Sequence, residues 1–454
     1  MAQNSFASKI GFILAAAGSA IGLGAIWKFP YVTGTSGGGA FFLMFLAFTL
    51  LLGLPLLIGE FIVGRSTQKT ALLAFKQLGH RNWSIIGYLG VLACFLLLSF
   101  YSVIGGWVLI YIALGLSGTL NDRTPDEFGA VFENVVSTPG IAVLGQFLFL
   151  LVTLLIVLKG VEAGIERMSK ILMPLLFVSF LVLVVRSLTL DGAMEGVRFF
   201  LQPDFSALSG QSVLFALGQA FFSLSLGVAA MLTYASYIKT KGTLNRSANM
   251  IVLLNITVSL LAGLAIFPAV FASGLDPAEG PALLFVVLPA VFEQVPLGGF
   301  FMVLFFLLFA FASITSSIAM LEVVVAGVTD RLNEKKMTLS KRQITVSAAA
   351  LVFAIGVPSA LSFGLLSDVV IWRGRTFFDT MDYIVSYILM PFGALLTSIF
   401  VGYVVDQRIL KDEIETSEPG VKLYPIWHGL IRYVIPVTVA IVMVWTWVNT
   451  WLDK

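Results

Sequence analysis

Four hydroxyls, on Ser313, Thr315, Ser316 and Ser317, interrupt an otherwise apolar stretch over 298–328. Hydroxyl and carbonyl oxygens are the hard, neutral ligands that a small cation prefers. The same hydroxyls can instead bond back to their own helix carbonyls. A second group of candidate oxygens lies in the run Ala17-Gly18-Ser19-Ala20-Ile21-Gly22-Leu23-Gly24-Ala25-Ile26-Trp27-Lys28-Phe29-Pro30. Gly18, Gly22 and Gly24 weaken a helix there. A break frees carbonyls, which attract a cation, and amides, which attract a carboxylate. Gly18, Ala20 and Ile21 are placed to supply such carbonyls. Gly18 and Gly22 also fit a helix-packing motif that needs no ligand.

A similar weak point falls at Ser223-Leu224-Ser225-Leu226-Gly227. Gln219, Ser223 and Asn255 add polar groups to apolar surroundings, where a hydrogen-bonded packing network explains them about as well. Four ionisable residues fall within apolar segments: Lys28, Glu60, Glu322 and Asp382. Charge at membrane depth is costly and marks functional candidates. Lys28 and Asp382 can alternatively snorkel to the interface, and Glu60 can pair with Arg65. The two histidines, His80 and His428, fall in loops or at a segment edge, and no nucleophile–base or metal-ligand cluster accompanies them. An enzyme is not expected.

These groups need a membrane to position them. Of 454 residues, 58% are hydrophobic and 11% charged, against about 25% charged in typical soluble proteins. Mean hydropathy is +0.98. A net charge of +2 suggests no nucleic-acid partner. The one cysteine, Cys94, allows no intrachain disulfide and reads as packing. The first apolar segment reads as a retained helix and not a signal peptide.

Spans of about 20 apolar residues centre on 10–34, 40–64, 86–117, 140–159, 168–189, 211–238, 245–273, 298–328, 343–357, 381–405 and 429–452, predicting about eleven helices. Basic residues cluster after the second, sixth and eighth spans, and acidic segments lie opposite. This places the N-terminus in the cytoplasm and the C-terminus outside, with Arg373 and Arg375 as exceptions. The interrupted spans are the first and sixth. An offset of five inverts the second copy, which is the architecture of many secondary transporters. It predicts repeats over 10–190 and 211–405 and an extra helix over 425–454.

"AGSAIGLGAIWKFPYVTGTSGGGAFF", "GQAFFSLSLGVAAMLTYASY" and "FASITSSIAM" resemble the first, sixth and eighth helices of the neurotransmitter:sodium symporter family. The order and spacing match through most of the chain. The resemblance implies the LeuT-type fold in a cell membrane and sodium-driven uptake of an amino acid or related zwitterion. An uncoupled channel or facilitator, or a non-transporting sensor on the same fold, is the alternative.

Carried over, the motifs imply a second sodium site from the carbonyls of Gly18, Ile21 and Ala312 and the hydroxyls of Thr315 and Ser316. A first sodium site would use Ala20, Ser223 and Asn255, but Ala25 stands where the family has an asparagine ligand. The implied substrate pocket contains Ala20, Gly22, Gly24, Leu97, Tyr101, Phe222, Ser223, Ser225, Val228, Ser316 and Met320. Tyr101 and the Gly22 and Gly24 amides would meet the substrate carboxylate. The Phe222 and Ser223 carbonyls and the Ser225 hydroxyl would meet its amine. Gly22, where monoamine members have an aspartate, favours a substrate bringing its own acid group. Val228 stands where a larger aromatic is often found.

Lys28 and Asp382 would form the outer gate. Asp330 belongs to the inner gate, where Gln3 and Phe6 replace the usual arginine and tryptophan. Glu60 resembles the glutamate that braces the broken sixth helix. Gln219, Ser223, Asn255 and Ser259 resemble a chloride site whose tyrosine is here Phe45. Chloride use and oligomeric state are open.

Overall fold

The structure is a computed structural model. It describes residues 9–159, 162–238, 244–278, 280–294, 296–337, 339–417 and 423–452. Gln3 and Phe6 lie outside the described residues.

Inside a bilayer every backbone polar group must find a partner within the protein, so apolar segments of this length become helices. Among the described residues, nine helices are long and apolar enough to cross. They are the first (Ile10–Thr35), second (Gly38–Thr67), third (Arg81–Leu116), fourth (Pro139–Lys159), seventh (Leu244–Ala272), eighth (Gly298–Glu334), ninth (Lys341–Ala360), tenth (Phe377–Tyr403) and eleventh (Tyr424–Trp445) spans. The fifth, Glu162–Leu188, leads into Ala193–Leu201 through a sharp bend of 119°. The sixth is two pieces, Gly210–Ser223 and Ala230–Ser236. The protein is all-α. Short helices such as Ala71–Leu78, Pro125–Ser137 and Leu283–Glu293 connect the spans.

Four of the spans contain a π-turn: Gly24–Lys28, Thr49–Gly53, Val385–Leu389 and Leu430–Val434. Each ends two residues before a proline, namely Pro30, Pro55, Pro391 and Pro436. Proline has no N–H to donate, and its ring collides with the carbonyl four residues back. A π-turn admits one extra residue and shifts the carbonyl register, which accommodates the proline without breaking the span.

The two breaks differ. In the sixth span, Leu224–Ala229 leave the helix, with Ser225, Gly227 and Ala229 at φ 54°, 75° and 60°. Gly227 sits where a Cβ would run into the Met390 carbonyl oxygen, so only glycine fits. In the first span the unwinding contracts to one non-helical residue, Gly22 (φ −2°, ψ −136°), followed by the π-turn. The break expected from the three glycines thus falls on Gly22 alone.

Among the nine unbroken spans the first is the most enclosed, with 83% of its apolar window buried, whereas the eleventh is 33% buried. The first span packs against the eighth span and against both pieces of the sixth, which are themselves almost wholly buried. Outward-facing side chains such as Leu144, Val185 and Ile441 are exposed apolar surface suited to lipid.

Candidate functional site

The first and eighth spans cross at the hydroxyls singled out above. Ser316 Oγ donates to the Ser19 carbonyl at 2.9 Å, with the Gly18 carbonyl at 3.4 Å and the Ala312 carbonyl at 3.3 Å. Thr315 Oγ1 donates to the Ala312 carbonyl at 2.7 Å. Gly18 leaves room for this approach, since a Cβ there would be 3.4 Å from Thr315 Oγ1. Ile21 is buried on the same stretch. Ser313 and Ser317 bond back to Phe309 and Ile314, and Ser317 also pairs with Thr153 of the fourth span. The crossing thus collects neutral oxygens and no carboxylate. Among the described residues no cluster of His, Cys, Asp or Glu could hold a metal ion. Such an oxygen set suits a monovalent cation and not a zinc-type ion.

Beside the crossing is a small enclosed cavity lined by Ser19, Ala20, Leu23, Gly24, Leu97, Tyr101, Phe222, Ser225, Val228, Ala230, Ser316 and Met320. Its volume is about 20 Å³, room for about one water. Nine of the eleven residues expected in the substrate pocket line it; Gly22 and Ser223 stand just behind. Ser19, Leu23 and Ala230 were not expected; the first two lie within the glycine run, which was their only signal.

Tyr101 Oη donates to the Ser313 carbonyl at 3.2 Å and accepts from the Leu23 amide at 3.4 Å. The amide that meets the tyrosine is Leu23's, between the Gly22 and Gly24 amides expected to meet a substrate carboxylate. Gly22 is needed for closeness. A Cβ on it would collide with Ser316 Oγ and lie 2.9 Å from Tyr101 Oη. Ser225 Oγ donates to the Ser19 carbonyl at 3.3 Å, tying the two breaks together. The Phe222 carbonyl, at the negative end of a helix, accepts from the Ser225 amide at 3.1 Å.

Above Phe222 the cavity is sealed by charge. Lys28 is wholly buried and pairs with Asp382, so neither snorkels. Ser386 bridges them, 2.7 Å from Lys28 Nζ and 2.8 Å from Asp382 Oδ1. Tyr31 donates to the other Asp382 oxygen at 3.4 Å. The ammonium is 4.4 Å from the centre of the Phe222 ring and 5.0 Å from that of Tyr387, a cation–π contact on each side. Ser386, Tyr31 and Tyr387 carried no sequence signal, because lone hydroxyls in spans are common.

At the opposite end, Asp330 accepts from the Thr70 hydroxyl, and Lys76 and Arg331 hold Glu334 at 2.7 and 3.2 Å. Glu60 does not pair with Arg65, which binds Glu413. Glu60 Oε1 instead accepts from the Gly227 amide at 2.8 Å, holding the broken segment of the sixth span. Glu322 pairs with Lys341 at 2.8 Å.

The remaining polar quartet faces the other side of the sixth span. Gln219 Nε2 donates to the Gly24 carbonyl at 2.8 Å, and Asn255 Nδ2 to the Ser223 carbonyl at 2.9 Å. Flipping either amide would set oxygen against oxygen. The buried ends without partners are thus two acceptors, Gln219 Oε1 and Asn255 Oδ1, with the Ser259 hydroxyl. Chloride requires donors, and the Phe45 ring, packed 4.9 Å from Phe29, supplies none. Of the quartet, the Ser259 hydroxyl is the unpartnered group able to donate. For a cation at the first site, Asn255 Oδ1 is a free ligand, but Ala25 offers no side-chain oxygen.

Broken spans facing a closed, neutral cavity define a membrane transporter. The sodium:neurotransmitter symporter family model matches residues 3–127 and 130–452. A Bacillus subtilis (strain 168) protein described as the uncharacterized sodium-dependent transporter YhdH is 52% identical over 439 residues, covering 96% of both chains. The human sodium- and chloride-dependent taurine transporter is 29% identical over 72% of this chain and 61% of its own. The crystal structure of MhsT in complex with L-phenylalanine superposes with a TM-score of 0.91 at 40% identity, covering 97% of this chain and 99% of that one. The chain belongs to the sodium:neurotransmitter symporter family and is a multi-pass, sodium-dependent membrane transporter.

Proposed function

We propose that the protein imports an amino acid or related carboxylate-bearing zwitterion together with sodium, by alternating access. One observation carries this reading: Ser316 both lines the cavity and bonds to the Ser19 carbonyl across the crossing of the first and eighth spans. Sodium held by the Gly18, Ile21 and Ala312 carbonyls and the Thr315 and Ser316 hydroxyls would draw those spans together. That closure orders the same serine that faces substrate. Each ligand then favours the closed state and raises the other's affinity.

The cavity's own lining supports the substrate class. No charged side chain contributes to it, so a ligand with no net charge avoids an unpaired buried ion. The Tyr101 hydroxyl, which here donates to the Ser313 carbonyl, can turn to a substrate carboxylate beside the Gly22 and Gly24 amides, while the Phe222 carbonyl end of the sixth span favours an amine. Leu97, Val228 and Met320 favour an apolar side chain. MhsT binding phenylalanine and the taurine transporter are both consistent with a zwitterion. The seal of Phe222 beneath Lys28–Asp382 opposes an open channel. The acceptor ends of Gln219 and Asn255 support transport without chloride. The paired breaks support inverted repeats over 10–190 and 211–405, and the basic loops after the second, sixth and eighth spans support a cytoplasmic N-terminus and an outside C-terminus.

Thermal unfolding of purified protein, screened with amino acids and taurine, tests the assignment. Stabilisation by an amino acid in sodium chloride and sodium gluconate, but not in potassium chloride, is expected. Stabilisation independent of sodium contradicts coupling, and dependence on chloride contradicts the anion reading.

A further inference from the structure

Away from the transport site, a cavity of about 510 Å³ opens between the end of the fourth span and the start of the ninth. Its apolar wall includes Leu155 and Leu158, which are 49% and 36% exposed on the surface that faces the bilayer. Its mouth carries Lys159, Lys341 and Arg342. Lys341 is shared with Glu322 of the eighth span, whereas no carboxylate pairs with Lys159 or Arg342 among the described residues. These three cations come from two spans and meet at one level, directly beyond apolar wall.

An apolar trough that ends in concentrated positive charge matches one molecule of the bilayer: a phospholipid with an anionic headgroup. The acyl chain covers Leu155 and Leu158, and the phosphate meets the three cations. We propose that this cavity is a binding site for an anionic phospholipid. Juxtamembrane basic residues attract such lipids, by about a factor of five per charge. The Lys341–Glu322 pair connects the headgroup position to the eighth span, six residues past Ser316. The site is independent of the transport reading.

The test is native mass spectrometry of the protein released from nanodiscs of phosphatidylglycerol or phosphatidylcholine with identical acyl chains. The expected result is one retained phosphatidylglycerol per chain and no retained phosphatidylcholine. Lys159→Gln with Arg342→Gln weakens retention roughly 30-fold, and the charge-keeping Lys159→Arg with Arg342→Lys restores it. Leu155→Trp, which fills the wall and leaves every charge, also reduces retention. Equal retention by the double glutamine variant overturns the proposal. So does equal retention of phosphatidylcholine, displacement by glycerol 3-phosphate at matching concentration, which would indicate a free-anion site, or a dimer covering this face without lipid.

Discussion

Lys28 Nζ and Ser386 Oγ are 2.7 Å apart, and each belongs to a π-turn that a proline follows. The closed end of the cavity is thus built where two helices have each gained a residue. The register shift carries Lys28 toward Asp382 and Ser386 toward both. Pro391→Ala removes the reason for the second π-turn. The segment is then free to return to α-helical register, moving Ser386 and Tyr387 off the ammonium. Faster substrate dissociation from the sodium-loaded protein is expected, with little loss of thermal stability. An unchanged dissociation rate would show that the π-turn does not hold the gate.

The Lys28–Asp382 pair is buried, so removing one partner leaves an unmatched charge. Asp382→Asn is expected to cost about 3–5 kcal/mol, read as a large fall in melting temperature and loss of uptake. Replacing both, with Lys28→Met and Asp382→Leu, removes the orphan charge and recovers most of the stability, but not uptake. A single variant as stable as the parent would mean that water reaches the pair.

Gly22→Ala adds a methyl group into Ser316 Oγ and beside Tyr101 Oη. Overpacking of this kind costs about 1–3 kcal/mol. Here it falls on groups proposed to bind both ligands, so sodium-dependent substrate binding should drop about tenfold or more while the helical content by circular dichroism is unchanged. Binding equal to the parent's would place substrate elsewhere.

Thr315→Ala and Ser316→Ala each remove one hydroxyl from the span crossing. At roughly 1.5 kcal/mol per hydrogen bond or ligand, each weakens sodium affinity about tenfold, and the pair abolishes sodium-dependent binding. Full retention at the same sodium concentration removes the second-site assignment.

Much of this was legible in the sequence because membrane physics leaves few choices. Apolar length located the spans, and the glycine run with Ser313–Ser317 marked the crossing. The π-turns were less visible, since proline in a span can kink it, end it or shift its register, and sequence does not say which. The burial of Lys28 was hidden because its partners come from a span more than 350 residues away. Amide orientation at Gln219 and Asn255 depends on which carbonyls face them, which residue types alone do not give. Glu60 found Gly227 and not Arg65 because the broken segment presents a free amide to it.

The account rests on coupling between sodium and substrate. Purified protein in liposomes, supplied with a labelled amino acid that stabilises it, tests that coupling most directly. An inward sodium gradient should drive accumulation above equilibrium, collapse of the gradient should release it, and Thr315→Ala with Ser316→Ala should abolish it. Equal accumulation when potassium replaces sodium, or entry that stops at equilibrium, would contradict the account.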